Sequence, residues 1–270
     1  MQKVFEELTR AFRKHDGELT EEQYSFIATR HTTLLEDSDT IFILLQASGY
    51  PISFLESGSV YRLDTYFKRH EDQRYCIIDI ETNGSKPGTS QVIEIGAIMV
   101  QNGKVLANFE TFVECAFLPE YITKITGIEP TDLIGAPSRK EALTKLRHFM
   151  GDAIFVAHNA NFDYGFLNAS FERFGLGNIG NPKLCTIELA RRTFESERYG
   201  LAFLIDFLCI ETATHHRAFS DAVCAGKVMD KSLETLPEYV NTADELLRFS
   251  TSSKKERRIK KEKKEKEEKN

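Results

Sequence analysis

Asp79 and Glu81 stand two residues apart in Y-C-I-I-D-I-E-T-N (75–83), whose Cys76, Ile77, Ile78 and Ile80 have the apolar, largely β-branched character of a buried strand. Side chains alternate along a strand, so both carboxylates face the same side. Two such groups beside an apolar core repel each other and lose hydration, at a cost on the order of several kcal/mol unless a cation neutralises them. Hard oxygen donors suit Mg²⁺ or Mn²⁺. A bare D-x-E triplet is more often a strand end that has surfaced into water, so the case depends on the other acids.

Two further groups supply those acids. In A-H-N-A-N-F-D (157–163) a buried strand ends and Asp163 opens a helix; strand ends of α/β sheets are where sites gather. Alone, Asp163 reads as a first-turn acid complementing the helix dipole. In H-H-R-A-F-S-D-A (215–222) Asp221 lies within a helical pattern and His216 lies five residues earlier, in a loop that can overhang the acid's face. A lone His-x4-Asp pair carries little. The signal is the order: D-x-E on a strand, Asp after a later strand, then His and Asp around a last helix.

These groups need a sheet flanked by helices, and the pattern supplies one. Strands are expected at 75–83, 92–101 and 104–113 as an antiparallel meander turning at Asn102-Gly103. Helices are expected at 120–126, 138–150, 162–174, 186–194, 201–209 and 218–231, with a buried strand at 153–157. The expected class is α/β, a mixed sheet covered by helices. Upstream, Val4, Phe5, Leu8 and Phe12 follow helical spacing. A second helix is expected from Thr20 to Arg30 and a third behind Asp39, then a hairpin turning at 57–59. Residues 1–70 therefore read as a small helical and hairpin domain, possible in outline as a winged helix, with 68–74 as linker.

Composition bounds the class. The 270 residues are 41% hydrophobic and 28% charged, which fits a soluble globular chain. No apolar run approaches the roughly 20 residues of a membrane span, and the first residues are charged, so a cytoplasmic location is expected. Five scattered cysteines without C-x-x-C spacing argue against a disulfide framework and structural zinc. Net charge is -6, but residues 254–270 hold ten Lys or Arg and five Glu; the tail is +5 and the rest -11. An acidic body that handles a polyanion needs metal ions or local basic patches. The tail has one apolar residue and reads as disordered or as a solvated helix.

The ordered set Asp79, Glu81, Asp163, Asp221 and His216 resembles the DEDDh family of 3′-to-5′ exonucleases on a ribonuclease H-like fold. The blocks D-I-E-T-N-G, V-I-E-I-G-A, I-T-K-I-T-G-I, V-A-H-N-A-N-F-D and H-R-A-F-S-D-A look like those of the proofreading epsilon subunit of bacterial DNA polymerase III and the exonuclease insert of Gram-positive replicative polymerases. The resemblance covers about residues 72–235; 1–70 and 236–270, the latter a partner-binding or disordered charged segment, lie outside it. The sequence departs from the family at Asn83, where many members carry a second Thr.

The resemblance implies two metal ions, about 3.5 to 4 Å apart, acting on an in-line phosphoryl displacement. Asp79 would bridge both, Glu81 and Asp221 would complete one site, and Asp163 would serve the other. His216 would be the general base; an imidazole with an ordinary pKa of about 6.5 suits that task. His215 is one residue out of the family spacing. Thr82, Asn83, Ile125, Ile128, His158 and Phe162 are the implied contacts to the terminal nucleotides. The implied substrate is the single-stranded 3′ end of DNA beside a replicative polymerase; an RNA-trimming exoribonuclease and an inactive nucleic-acid or polymerase-binding adaptor are the alternatives. Separately, D-E-L-L-R-F (244–249) resembles the sliding-clamp peptide Q-x-x-L-x-F with Asp in the leading place, and a terminal amphipathic turn is its plainer reading.

Overall fold

Helical spacing of Val4, Phe5, Leu8 and Phe12 produces α1 (Gln2–Lys14), which buries all four. The computed structural model describes residues 1–30, 37–211, 217–253 and 255–257; His215, His216 and most of the charged tail lie outside them. After β1 (Glu18–Thr20), Thr20 and Gln23 exchange side-chain bonds with each other's backbone N–H and open α2 (Glu21–Arg30). The cap of α3 (Ser38–Ala47) is Asp37, not the expected Asp39. The Asp37 carboxylate accepts from the Asp39 N–H (3.0 Å) and from the Thr40 hydroxyl (2.8 Å).

The expected hairpin follows as β2 (Ile52–Leu55) and β3 (Val60–Leu63), leading into α4 (Asp64–Phe67). These strands form an antiparallel sheet in the order β1-β3-β2. The hairpin and α1 to α3 close over a core of their own that includes Leu8, Phe12, Leu19, Tyr24, Leu45 and Tyr61.

The second sheet is built on the predicted meander: β4 (Tyr75–Thr82), β5 (Val92–Gln101) and β6 (Lys104–Phe112). Asn102 and Gly103 both take positive φ at the β5–β6 turn, the conformation a tight hairpin demands. The chain continues through α5 (Glu120–Thr126), α6 (Arg139–Met150), β7 (Ile154–Ala157), α7 (Ala160–Arg173), β8 (Lys183–Cys185), α8 (Thr186–Thr193), α9 (Leu201–Phe207), α10 (Ala218–Leu233) and α11 (Ala243–Thr251). Strand order is β6-β5-β4-β7-β8, with β7 parallel to β4 and β8 parallel to β7. This is the mixed, ribonuclease H-like sheet with helices on both faces.

Alternation along β4 assigns the faces. Cys76, Ile78 and Ile80 point into a core shared with Leu146 of α6 and Phe166 and Phe171 of α7. Tyr75 and Ile77 point into the opposite core, with Ala222, Ala225 and Met229 of α10. Asp79 and Glu81 continue this second face to the end of the strand.

α11 corrects two expectations. Leu246 and Phe249 are buried in the same core as Ile77, so residues 236–251 pack with the body rather than forming a loose tail. Asp244 is buried against Arg13, whose Nη2 lies 2.7 Å from its Oδ1. With both its first and last residues sequestered, 244–249 does not present an accessible clamp-binding peptide. The expected linker is also tied down: the Ala243 N–H donates to the Lys68 carbonyl, and the His70 N–H donates to Asn241.

The N-terminal elements dock where β7 and β8 begin. The Ser48 carbonyl accepts from the Gly180 N–H (2.7 Å) and from Arg147 Nη1 (3.0 Å). That is the opposite end of the sheet from Asp79 and Glu81. Among the described residues no helix is long and apolar enough to cross a membrane.

Candidate active site

Register decides what faces the two acids of β4. Asp79 pairs with Gly96 and Glu81 pairs with Glu94, so these four residues share one face. A Cβ on Gly96 would collide with the backbone of Ala218 and Phe219. The missing side chain therefore lets the start of α10 lie directly on β5. Asp221, in the first turn of α10, is delivered to β4 by this approach. Carboxylate oxygens of Asp79, Glu81 and Asp221 lie within 4.8 Å of one another.

Asp163 arrives from the other face. It sits in the first turn of α7, only 3% exposed. The backbone N–H groups of Asp163 and of Ile80, the strand residue between Asp79 and Glu81, favour its charged form. All four sequence-predicted acids thus converge on the end of β4.

Their protonation reflects the crowding. Burial, then the charges of Asp163, Glu81, Asp221 and Glu94, push the Asp79 carboxyl well above the ordinary range. Burial and the neighbouring Glu94, Asp221 and Asp163 push Glu81 up to about 7, with Arg217 acting against them. Burial likewise raises Asp163, opposed by the backbone N–H groups of Asp163 and Ile80. Such a set is costly without a positive charge and offers only hard oxygen donors, so it fits a divalent cation of the Mg²⁺ or Mn²⁺ type. The expected base His216 lies outside the described residues; its neighbour Arg217 is described.

Most of the expected substrate contacts also make contacts within the protein frame. The Thr82 hydroxyl donates to the Gly84 carbonyl (2.8 Å). Asn83 Oδ1 accepts from the Gln91 N–H (2.8 Å) and its Nδ2 donates to the Phe117 carbonyl (3.1 Å). His158 Nε2 donates to the Tyr199 carbonyl (3.0 Å), which leaves Nδ1 to accept from the Thr186 hydroxyl (2.8 Å). Burial lowers the His158 pKa to about 4, so the ring is neutral and used up internally. Gly127, at φ 70°, ends α5 and separates the two isoleucines of I-T-G-I. Ile125 is 60% exposed, whereas Ile128 is 1% exposed and packs against Ile93, Ile122 and Leu133. Ile128 is therefore a core residue. Phe162 is part-exposed and lies against Phe166, ring centroids 5.3 Å apart.

Glu94, Gly96 and Arg217 were assigned no role from sequence. Glu94 is fully buried; its Oε1 accepts from Arg217 Nε (3.0 Å) and Nη2 (2.6 Å), and its Oε2 from the Ala218 N–H (3.2 Å). The available signal was an acid and a glycine inside the otherwise apolar run Val92–Val100.

Comparison with known proteins bears on the family and the fold. The exonuclease family RNase_T matches residues 76–229. The PolC-type DNA polymerase III of Staphylococcus aureus is 34% identical over 198 residues, covering 72% of this chain and 13% of that protein. The chain thus spans a small part of that relative's length. Among solved structures, the zinc-bound complex of Escherichia coli exonuclease I with single-stranded DNA superposes with a TM-score of 0.54 at 17% identity, covering 61% of this chain and 41% of the other. The same enzyme with a dT13 oligonucleotide gives 0.54 at 17% identity, over 60% and 41%. At that identity the likeness speaks for the fold alone.

Proposed function

The chain belongs to the RNase_T exonuclease family, and from that premise we propose that it removes nucleotides one at a time from the 3′ end of DNA by metal-dependent phosphodiester hydrolysis. The observation that carries this reading is the convergence of Asp79, Glu81 and Asp221 within 4.8 Å, with Asp163 buried beside them. Mg²⁺ or Mn²⁺ held there would stabilise the charge of the phosphodiester oxygens and acidify water.

Asp79, Glu81 and Asp221, with Asp163, are the residues that would hold two such ions. To do so they must stay deprotonated, and the cations offset the mutual repulsion that otherwise raises Asp79 and Glu81. His216 is assigned as general base, holding a proton on its imidazole during attack. Ile125 and Phe162 offer apolar surface to the terminal bases, a contact that tolerates any sequence. Thr82, Asn83 and His158 act by fixing the loops around the acids.

The likeness to a PolC-type DNA polymerase III supports DNA as substrate and replicative proofreading as the setting. Residues 1–70 are proposed as an accessory unit, consistent with their docking at the end of the sheet away from the acids. The test is digestion of 5′-labelled single-stranded DNA, with matched RNA in parallel, in Mg²⁺, Mn²⁺ or EDTA. The expected result is a ladder shortening from the 3′ end of DNA, abolished by EDTA. Internal cleavage, cleavage in EDTA, or preference for RNA would overturn the corresponding part of the proposal.

A further inference from the structure

Arg217 and Glu94 stand beside the acids without joining them. Glu94 is a fifth carboxylate on the same face as Asp79 and Glu81, opposite Glu81 in register and fully buried. Arg217 is the residue immediately before α10, and four residues later on that helix comes Asp221. The guanidinium gives two donors to Glu94 Oε1, the Ala218 N–H gives a third to Oε2, and Arg217 also lies over the Phe112 ring at 5.2 Å. One strand carboxylate thus fastens the first turn of the helix that carries Asp221.

We propose that the Glu94–Arg217 pair is a latch that sets the position of Asp221 against Asp79 and Glu81, and thereby the affinity of the acid cluster for a divalent cation. Both are positioning residues. Arg217 occupies Glu94, so this fifth acid is not available as a ligand, and α10 stays seated in the gap left by Gly96. Glu94 in turn gives the α10 N-terminus a fixed anionic partner. The inference rests on the metal reading of the cluster.

Electrostatics and positioning predict opposite signs, which makes the latch testable. Arg217 is a cation near a cation site, so neutralising it would by field alone tighten metal binding. A latch predicts the reverse. The experiment is calorimetric titration of Mn²⁺ into the full chain for wild type, Arg217→Gln, Arg217→Lys and Asp79→Asn, each checked for folding by circular dichroism. Arg217→Gln should weaken Mn²⁺ binding by about tenfold or more, in the range seen when groups supporting metal ligands are removed. Arg217→Lys, which restores one charged donor, should recover part of the loss.

Should Arg217→Gln fail to fold because Glu94 is left buried and unpaired, the double variant Glu94→Gln/Arg217→Gln removes that charge and should show the same weakening. Folded Arg217 variants that bind Mn²⁺ as tightly as wild type, or more tightly, would overturn the latch while leaving the metal site standing. A wild type that takes up no more Mn²⁺ than Asp79→Asn would overturn both.

Discussion

Asp79 and Gly96 are register partners on adjacent strands, and the space above Gly96 is filled by the backbone of Ala218 and Phe219. The position of the last acid thus depends on the absence of a side chain beside the first. Glycine at a strand interior is otherwise unfavourable, and here it is the contact surface for a helix.

Gly96→Ala should therefore push α10 away from β5. The new methyl meets backbone, which cannot rotate aside, and overpacking of this kind costs about 1–3 kcal/mol. Urea denaturation should register that loss. Because Asp221 moves with the helix, Mn²⁺ affinity at a temperature where the variant is folded should fall as well. Lost stability with unchanged Mn²⁺ affinity would mean that Asp221 does not depend on this approach.

A second prediction concerns protons. Glu81 sits at about 7 in the fold against an ordinary 4.5, and Asp79 and Asp163 are raised in the same direction. A carboxyl with a raised folded pKa contributes stability that is complete below its unfolded value and is lost as pH rises through the folded one. Metal-free protein should lose this contribution between about pH 4.5 and 7. His158 acts oppositely at acid pH, so the clean comparison is wild type against Glu81→Gln. In EDTA at pH 8 the variant should melt higher than wild type, and the gap should close towards pH 4.5. Adding Mn²⁺ at pH 8 should raise only the wild type substantially. A pH-independent gap would contradict the burial and crowding of Glu81.

His158 was expected at the substrate and instead holds Tyr199 and Thr186. His158→Ala should act on stability, by about 1–3 kcal/mol for a buried donor and acceptor left without partners. Its KM for an oligonucleotide, measured well below the melting temperature, should change little. Its folded pKa of about 4 lies below the ordinary 6.5. The wild type's advantage over His158→Ala should then be full above pH 6.5 and shrink as pH falls towards 4. A large KM effect without a melting shift would return His158 to the substrate.

What the sequence revealed and what it hid follow from the range of each interaction. The meander was legible because apolar runs and Asn102-Gly103 are local signals, and the four acids because their order along the chain maps onto strand ends and helix starts. β1 and β8, three residues each, are too short to show alternation. The burial of α11 was hidden because much of its partner surface, Ile77 and Ile98 among others, is far away in sequence. Proximity to a motif does not distinguish the contacts of Thr82, Asn83 and His158: polar side chains near a site are as readily engaged by the backbone as by a ligand. Ile128 failed for a conformational reason, since Gly127 turns the chain inward after Ile125. Glu94 pairs with an arginine 123 positions on, and no local pattern announces that contact.

The acids at the end of β4 are proposed to perform metal-dependent removal of 3′ nucleotides, an activity open to measurement. Its most direct measurement is a time course of 3′-end digestion in Mn²⁺ for wild type and Asp79→Asn side by side, with both melting temperatures recorded in EDTA. Asp79 is pushed up by burial and by its neighbours' charges, so the neutral variant should fold at least as stably without metal. It should nevertheless leave the oligonucleotide intact while the wild type shortens it stepwise. A folded Asp79→Asn protein that digests the 3′ end at near wild-type rate would contradict the account.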